Sequence, residues 1–159
     1  ERSAVVIWEA GTIRGHAIAP NDQILQNYMF TFLPEITLVL EKVESFGMAV
    51  GKEVFRTVFW SGRFAQAWTP KPFEEVTRRE VKLHLCGHSR ATDANIRQAI
   101  LDRFGPSTEK AIGNKKAPGP LYGISKHEWS ALAVALTWAD QHPQEPVGEI
   151  LRPGVMAEF

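Results

Sequence analysis

Glu41 is the first residue in this sequence whose setting points to chemistry. It follows Ile36-Thr-Leu-Val-Leu40, a nearly continuous apolar run, and an ionised carboxylate there needs a partner that offsets its desolvation. Binding sites in open α/β sheets form at the carboxyl ends of strands. Glu41 is therefore either a ligating acid or simply the first solvated residue after a strand. The second candidate lies in Ser125-Lys-His-Glu128, which reads as a capping box, Ser125 bonding the N3 amide and Glu128 reaching back to the cap. Glu128 thus has a structural task, and His127 does not. In the first turn of a helix the dipole favours a neutral imidazole, the form that ligates metals. His127 also opens a polar stripe, His127, Ser130 and Thr137, along an otherwise apolar helix; a surface or capping side chain is the alternative reading.

Basic residues gather at Arg78, Arg79, Lys82, Arg90, Arg97 and Arg103, then at Lys110, Lys115, Lys116 and Lys126. This is a phosphate track or a solvated face, diluted by Asp93, Asp102 and Glu109. His84-x-Cys86-x-His88 would project zinc-type ligands from one strand face, but a fourth ligand is lacking. Trp60, Phe64 and Trp68, at i, i+4 and i+8, fit a core or subunit interface better than a base-stacking platform.

The elements that must position these residues follow from the patterning. Residues 3–8 and 12–19 read as a β-hairpin around Glu9-Ala10-Gly11. A helix begins near Asp22 with Asn21 as its cap and stops at Pro34. Residues 36–40 form a strand covered on both faces. A second helix spans roughly Lys52 to Trp68, with an apolar stripe of Val54, Phe55, Val58 and Phe59. The alternation of Val81, Leu83 and Leu85 predicts a strand over 80–86. Thr92 or Asp93 caps a helix ending at Gly105-Pro106. Residues 105–123, rich in Gly, Pro and Lys, read as a long mobile basic loop. The last helix runs from about Lys126 to Asp140, and the Pro-containing tail is extended. A hairpin followed by strand and helix alternation implies a mixed sheet with helices on its faces.

The chain of 159 residues is about one domain long. Apolar residues at 44% and charged residues at 23% exclude a disordered or fibrous chain. No apolar run reaches the roughly 20 residues that span a bilayer, and no signal-peptide pattern opens the chain. The lone Cys86 fits a reducing compartment. With 18 basic and 18 acidic residues the molecule is no polycation, so any nucleic-acid face must be local. The sequence opens without Met, in a strand-like run, as a chain starting inside a domain would.

Leu38-Val-Leu-Glu41-Lys-Val43, the helix ending Trp60-Ser-Gly-Arg-Phe-Ala-Gln-Ala-Trp68, Val81-Lys82, and Lys126-His127 leading into Ala131-Leu-Ala-Val-Ala-Leu-Thr137 resemble the RuvC-type Holliday junction resolvases, most closely their phage and prophage branch. The resemblance implies an α/β, ribonuclease-H-like fold: a mixed β-sheet flanked by helices, its first strand missing from this chain. It implies a nuclease domain over residues 1–140 and an extended tail over 141–159. The implied activity is that of a crossover-junction endodeoxyribonuclease, a homodimer that hydrolyses branched or four-way DNA with two Mg²⁺ (or Mn²⁺) ions per site, in the cytoplasm of a bacterial host. The family binds metal through an Asp on the first strand, a Glu ending the middle strand, and an acidic or His residue followed three positions later by Asp in the last helix. Glu41 and His127 match as metal ligands, with Glu128 beside them in the catalytic group, and Ser130 stands where the helix Asp is expected. The first-strand Asp would precede Glu1. Lys82, Arg90, Lys115 and Lys116 would hold DNA phosphates. The junction-wedging aromatic three positions after the Glu is replaced by Glu44, leaving Phe46 as the nearest substitute. Two rivals remain: a non-catalytic DNA-branch binder on the same fold, favoured by Ser130, and a dimeric phage structural protein, favoured by zero net charge and the aromatic helix.

Overall fold

The computed structural model describes residues 1–29, 36–45, 47, 49–69 and 72–143. Phe46, Pro34 and most of the tail therefore lie outside the described residues.

Arg2–Glu9 (β1) and Thr12–Pro20 (β2) pair antiparallel as expected. Ala10 and Gly11 join them, both at positive φ (47° and 82°), which matches the turn to the twist of the strands. Asn21–Ile24 (α1) follows and continues as a π-helical turn, Leu25–Met29. Asn21 is not the cap that the sequence predicts. Pro20 occupies the cap, and the buried Asn21 side chain instead accepts a 2.9 Å hydrogen bond from Ser3 Oγ.

Leu38–Lys42 (β3) and Phe73–Thr77 (β4) pair in parallel, with Lys52–Trp68 (α2) crossing between them, the connection that parallel strands require. β3 starts two residues later than the apolar run and includes Glu41, opposite Val76. The bounds of α2 match the sequence reading, but Phe55, Val58 and Phe59 of its apolar stripe are exposed, and its buried side chains are Phe64 and Trp68.

The strand predicted over 80–86 is instead a helix, Arg78–Cys86 (α3). Thr77 Oγ accepts from the Glu80 amide at 3.1 Å, the Glu80 carboxylate accepts from the Thr77 amide at 2.6 Å, and Gly87 ends the helix at φ 75°. This complete capping box and left-handed stop outweigh a short period-two pattern, whose middle member, Leu83, is exposed. Asp93–Phe104 (α4) is capped by Thr92 as expected.

The segment 105–123 is not an open loop. It contains Thr108–Ile112 (α5), a bridge between Gly113 and Pro118, and the fully buried Ala111 and Leu121. Gly113, at φ 69°, passes so near the following backbone that a Cβ there would stand 2.3 Å from Ala117 O. Glu128–Gln141 (α6) is the last helix.

One continuous mixed sheet is not formed among the described residues; the strands make two separate pairs, β1 with β2 and β3 with β4. Both pairs nevertheless share one layer. Val6 and Val39 pack into the larger core with Val81, Ile96, Ile100, Leu132 and Leu136, whereas their neighbours Val5 and Leu40 pack into a second core with Ile24, Leu25 and Phe64. Each sheet thus turns one face to α3, α4 and α6 and the other to α1 and α2, an α/β class arrangement. α6 packs most on β1 and also on α3 and β3, so it touches one strand from each pair. The layer is therefore bridged by side-chain packing where its ladder is interrupted.

Candidate functional site

β3, α3 and the start of α6 converge around Glu41. The parallel pairing with β4 sets Glu41 next to the Thr77–Arg78 junction, because Lys42 lies opposite Thr77. The capping box at Thr77 then starts α3 immediately, so Arg78, Arg79 and Lys82 project beside the acid. A cleft of about 600 Å³ results, lined by Glu41, Lys42, Arg78, Arg79, Lys82 and Ser89 among others. Four cations against two acids, Glu41 and Glu44, leave the cleft an excess of positive charge that suits a polyanionic ligand.

Arg78 is the nearest counter-charge. Its Nη1 lies 3.8 Å from Glu41 Oε1, and its Nη2 pairs with Asp93 at the start of α4. The Glu41 side chain keeps 42% of its exposure, yet withdrawal from water holds its pKa above the ordinary carboxylate value. Asp93 adds to that rise, while Arg78 and His127 act against it without cancelling it. His127 is therefore within electrostatic reach of Glu41, as the sequence reading requires.

His127 sits at the N-cap position of α6, exposed and without a side-chain cap bond. The preceding Lys126 is in the left-handed region (φ 44°), an uncommon conformation for a residue with a Cβ. Ser130 lies one turn into α6, half-buried, its amide donating to His127 O at 3.1 Å.

Glu128 is bound on both oxygens. Oε2 accepts from the Ser125 amide (2.8 Å) and Ser125 Oγ (3.0 Å), and Oε1 is 2.8 Å from His16 Nδ1. Burial alone would raise its pKa, but these hydrogen bonds prevail and hold it below the usual value. Only half of the expected box forms: Glu128 reaches back, but Ser125 Oγ donates to it rather than accepting from its amide. Glu128 thus braces the turn that presents His127.

The DNA-binding set divides. Lys82 lines the cleft, and Ser89 brings the chain to its rim next to the exposed Arg90. Lys115 and Lys116 do not line it; they lie in the turn closed by the Gly113–Pro118 bridge, where the Lys116 amide donates to Asn114 Oδ1 at 2.9 Å. Phe46 falls outside the described residues. His84, Cys86 and His88 share no strand face: His84 Nε2 pairs with Asp140 Oδ2 at 2.7 Å, and Cys86 packs against the core. Arg78, a member of the basic run, and Asp93, one of the acids that dilute it, are the residues at Glu41 that the sequence reading misses, because a strand over 80–86 sends them elsewhere.

For a divalent ion the cleft offers the carboxylates of Glu41 and Glu44, with the His127 imidazole within electrostatic reach of Glu41, and among the described residues no three His, Cys, Asp or Glu side chains form a metal-binding group. Such a donor set does not fit zinc, which takes three or four protein ligands. It fits an ion of the Mg²⁺ type, held by one or two protein ligands with water and phosphate oxygens filling its shell. Among the described residues, no helix is long and apolar enough to cross a membrane. Comparison with protein-family models, with curated proteins and with solved structures returns no match.

Proposed function

We propose that this chain is a ribonuclease-H-like endonuclease that hydrolyses branched DNA, four-way junctions foremost, with Mg²⁺ or Mn²⁺. The observation that carries the reading is the company Glu41 keeps: a strand acid at a cleft with Lys42, Arg78, Arg79 and Lys82 around it and His127 within reach. A phosphodiester is the ligand whose charge answers those cations, and a strand-end acid is where such a fold does chemistry.

Glu41 and His127 would hold the cation, whose contribution is to activate water and neutralise charge at the phosphate. Lys42, Arg79 and Lys82 would hold the phosphates flanking the bond to be cut, and Arg90 would extend that contact along a DNA arm. A homodimer accords with the exposed face of α2, where Phe55 and Phe59 are 66% and 62% exposed, more apolar surface than a lone helix usually leaves in water.

The second reading, a DNA-branch binder without catalysis, is favoured by Ser130 and by the absence of a third ligand among the described residues. Incubating the protein and Glu41→Gln with a labelled four-way junction, over Mg²⁺ and Mn²⁺, separates the two. Metal-dependent nicking that vanishes in the variant supports the nuclease; junction binding with no nicking by either protein supports the binder.

A further inference from the structure

Arg78 is the most constrained cation in the cleft. Its Nη2 is paired with Asp93, while Nη1 is buried and, among the described residues, has no hydrogen-bond partner; the nearest acceptor, Glu41 Oε1, is 3.8 Å away. A buried guanidinium N–H without an acceptor is costly, and structures rarely keep one without reason. Its neighbours in the cleft include Lys42, Arg79, Lys82 and Ser89, which add charge and a hydroxyl donor, against the acids Glu41 and Glu44. The fork is therefore half engaged: one arm is anchored on α4 and the other, buried, has only Glu41 in front of it.

We propose that Arg78 is the anion-reading residue of this cleft, its half-engaged and partly exposed guanidinium turning to donate to a non-bridging oxygen of a phosphate or phosphodiester, with Asp93 as the positioning residue that holds it. The inference rests on the reading of the cleft as a phosphate site, but not on catalysis. A planar, anchored guanidinium suits phosphate better than a lysine does, because it offers its N–H groups in a fixed geometry. Engagement by phosphate would also draw the Arg78 charge from Glu41, leaving the acid free for its own ligand. Asp93 competes with phosphate for the same guanidinium, so it sets affinity as well as geometry.

The test is equilibrium binding in EDTA, where no cleavage occurs. A fluorescein-labelled four-way junction is followed by anisotropy at several salt concentrations, and inorganic phosphate by the side-chain ¹H–¹⁵N signals of the arginines. Arg78→Gln should weaken junction binding about tenfold or more and reduce the slope of log K against log salt by about one. Arg78→Lys should keep the slope and recover only part of the affinity. Asp93→Asn, which removes the competing charge while its amide oxygen can still hold the guanidinium, should tighten phosphate binding, an effect of opposite sign that loss of a merely structural ion pair would not produce. Unchanged affinity and slope in Arg78→Gln would overturn the proposal while leaving the nuclease reading intact. Arg78-dependent binding of phosphate without any binding of DNA would uphold the anion site and overturn the nuclease reading. Failure of the wild-type protein to bind either probe would overturn both.

Discussion

His16 Nδ1 lies 2.8 Å from Glu128 Oε1, a contact between the middle of β2 and the first turn of α6, one residue from His127. The pair ties two elements that are 112 residues apart in sequence and fixes the turn in which Lys126 adopts its left-handed conformation. Glu128 is nearly inaccessible, so the bonds it receives from His16 and Ser125 are charge-assisted and shielded from water. Its alanine variant leaves the Ser125 amide and His16 without a partner.

Glu128→Ala should therefore lose on the order of 2–3 kcal/mol of stability, lowering the thermal midpoint by roughly 5–10 °C. Glu128→Gln, which still accepts from Ser125, should lose less and keep metal-dependent junction cleavage. Because the folded pKa of Glu128 lies below its unfolded value, this stabilisation is complete above the unfolded pKa and disappears as acid protonates the folded group. Thermal melts of the three proteins between pH 7 and pH 3 check both points. Cleavage abolished in a folded Glu128→Gln would make Glu128 a chemical participant rather than a brace.

A second clamp lies on the far side of the larger core. Asp140 accepts from Arg103 through both oxygens (2.5 and 2.7 Å) and from His84 (2.7 Å), joining α6 to α4 and α3. The Arg103 hydrogen bond, more than any other contact, draws the Asp140 pKa from 3.8 to about 2. The stabilisation it provides is full above the unfolded pKa and drains as pH falls from about 5 toward 2. Allowing for partial solvent screening, Asp140→Asn should lose about 1–2 kcal/mol at pH 7 and only a small part of that at pH 2, where the folded acid is still partly ionised. Denaturant titrations of both proteins at these two pH values check it; a constant difference would assign the effect to packing.

The sequence made legible what local pattern alone controls: the hairpin, both bounds of α2, and α4 with its Thr92 cap. It misled where two signals conflicted. Val81, Leu83 and Leu85 alternate like a strand, but Thr77 and Glu80 nucleate a helix four residues earlier, and that one error hid Arg78 and Asp93 from the site. Composition misread residues 105–123, since Gly113 and Gly119 serve close backbone packing there rather than mobility. The partners of Glu128 and Asp140 were beyond any local pattern because they join distant elements.

Glu41 itself carries a prediction about stability. Its pKa is raised, chiefly by withdrawal from water, so the folded state favours the protonated form relative to the unfolded chain. The ionised acid is then a burden above the folded pKa and none below the unfolded one. Glu41→Gln should melt at the same temperature as wild type or higher at pH 7–8, and the two should converge below about pH 4. Loss of nicking together with unchanged or raised stability would mark Glu41 as a residue kept for function at some cost to the fold. A clearly destabilised variant at pH 7 would instead make the Arg78 ion pair its main role.

His127 is where structural and ligating roles separate most cleanly. It is exposed and makes no cap bond, so His127→Ala should leave the thermal midpoint within about a degree of wild type, as befits a surface change. His127→Asp places a carboxylate at the start of α6, where the dipole favours it by roughly 0.3–1 kcal/mol; the nearby Glu41 opposes part of that gain. Stability thus changes little in either variant, which makes metal binding the informative measurement. If His127 is a ligand, Mn²⁺ affinity should fall in the alanine variant, and the aspartate variant should shift preference toward Mg²⁺, because carboxylate oxygen suits the harder ion better than imidazole does. Titrating both ions against all three proteins by calorimetry, alongside junction cleavage, gives the answer. Wild-type Mn²⁺ affinity in His127→Ala would return the residue to the surface of the helix start and leave Glu41 as the sole ligand among the described residues.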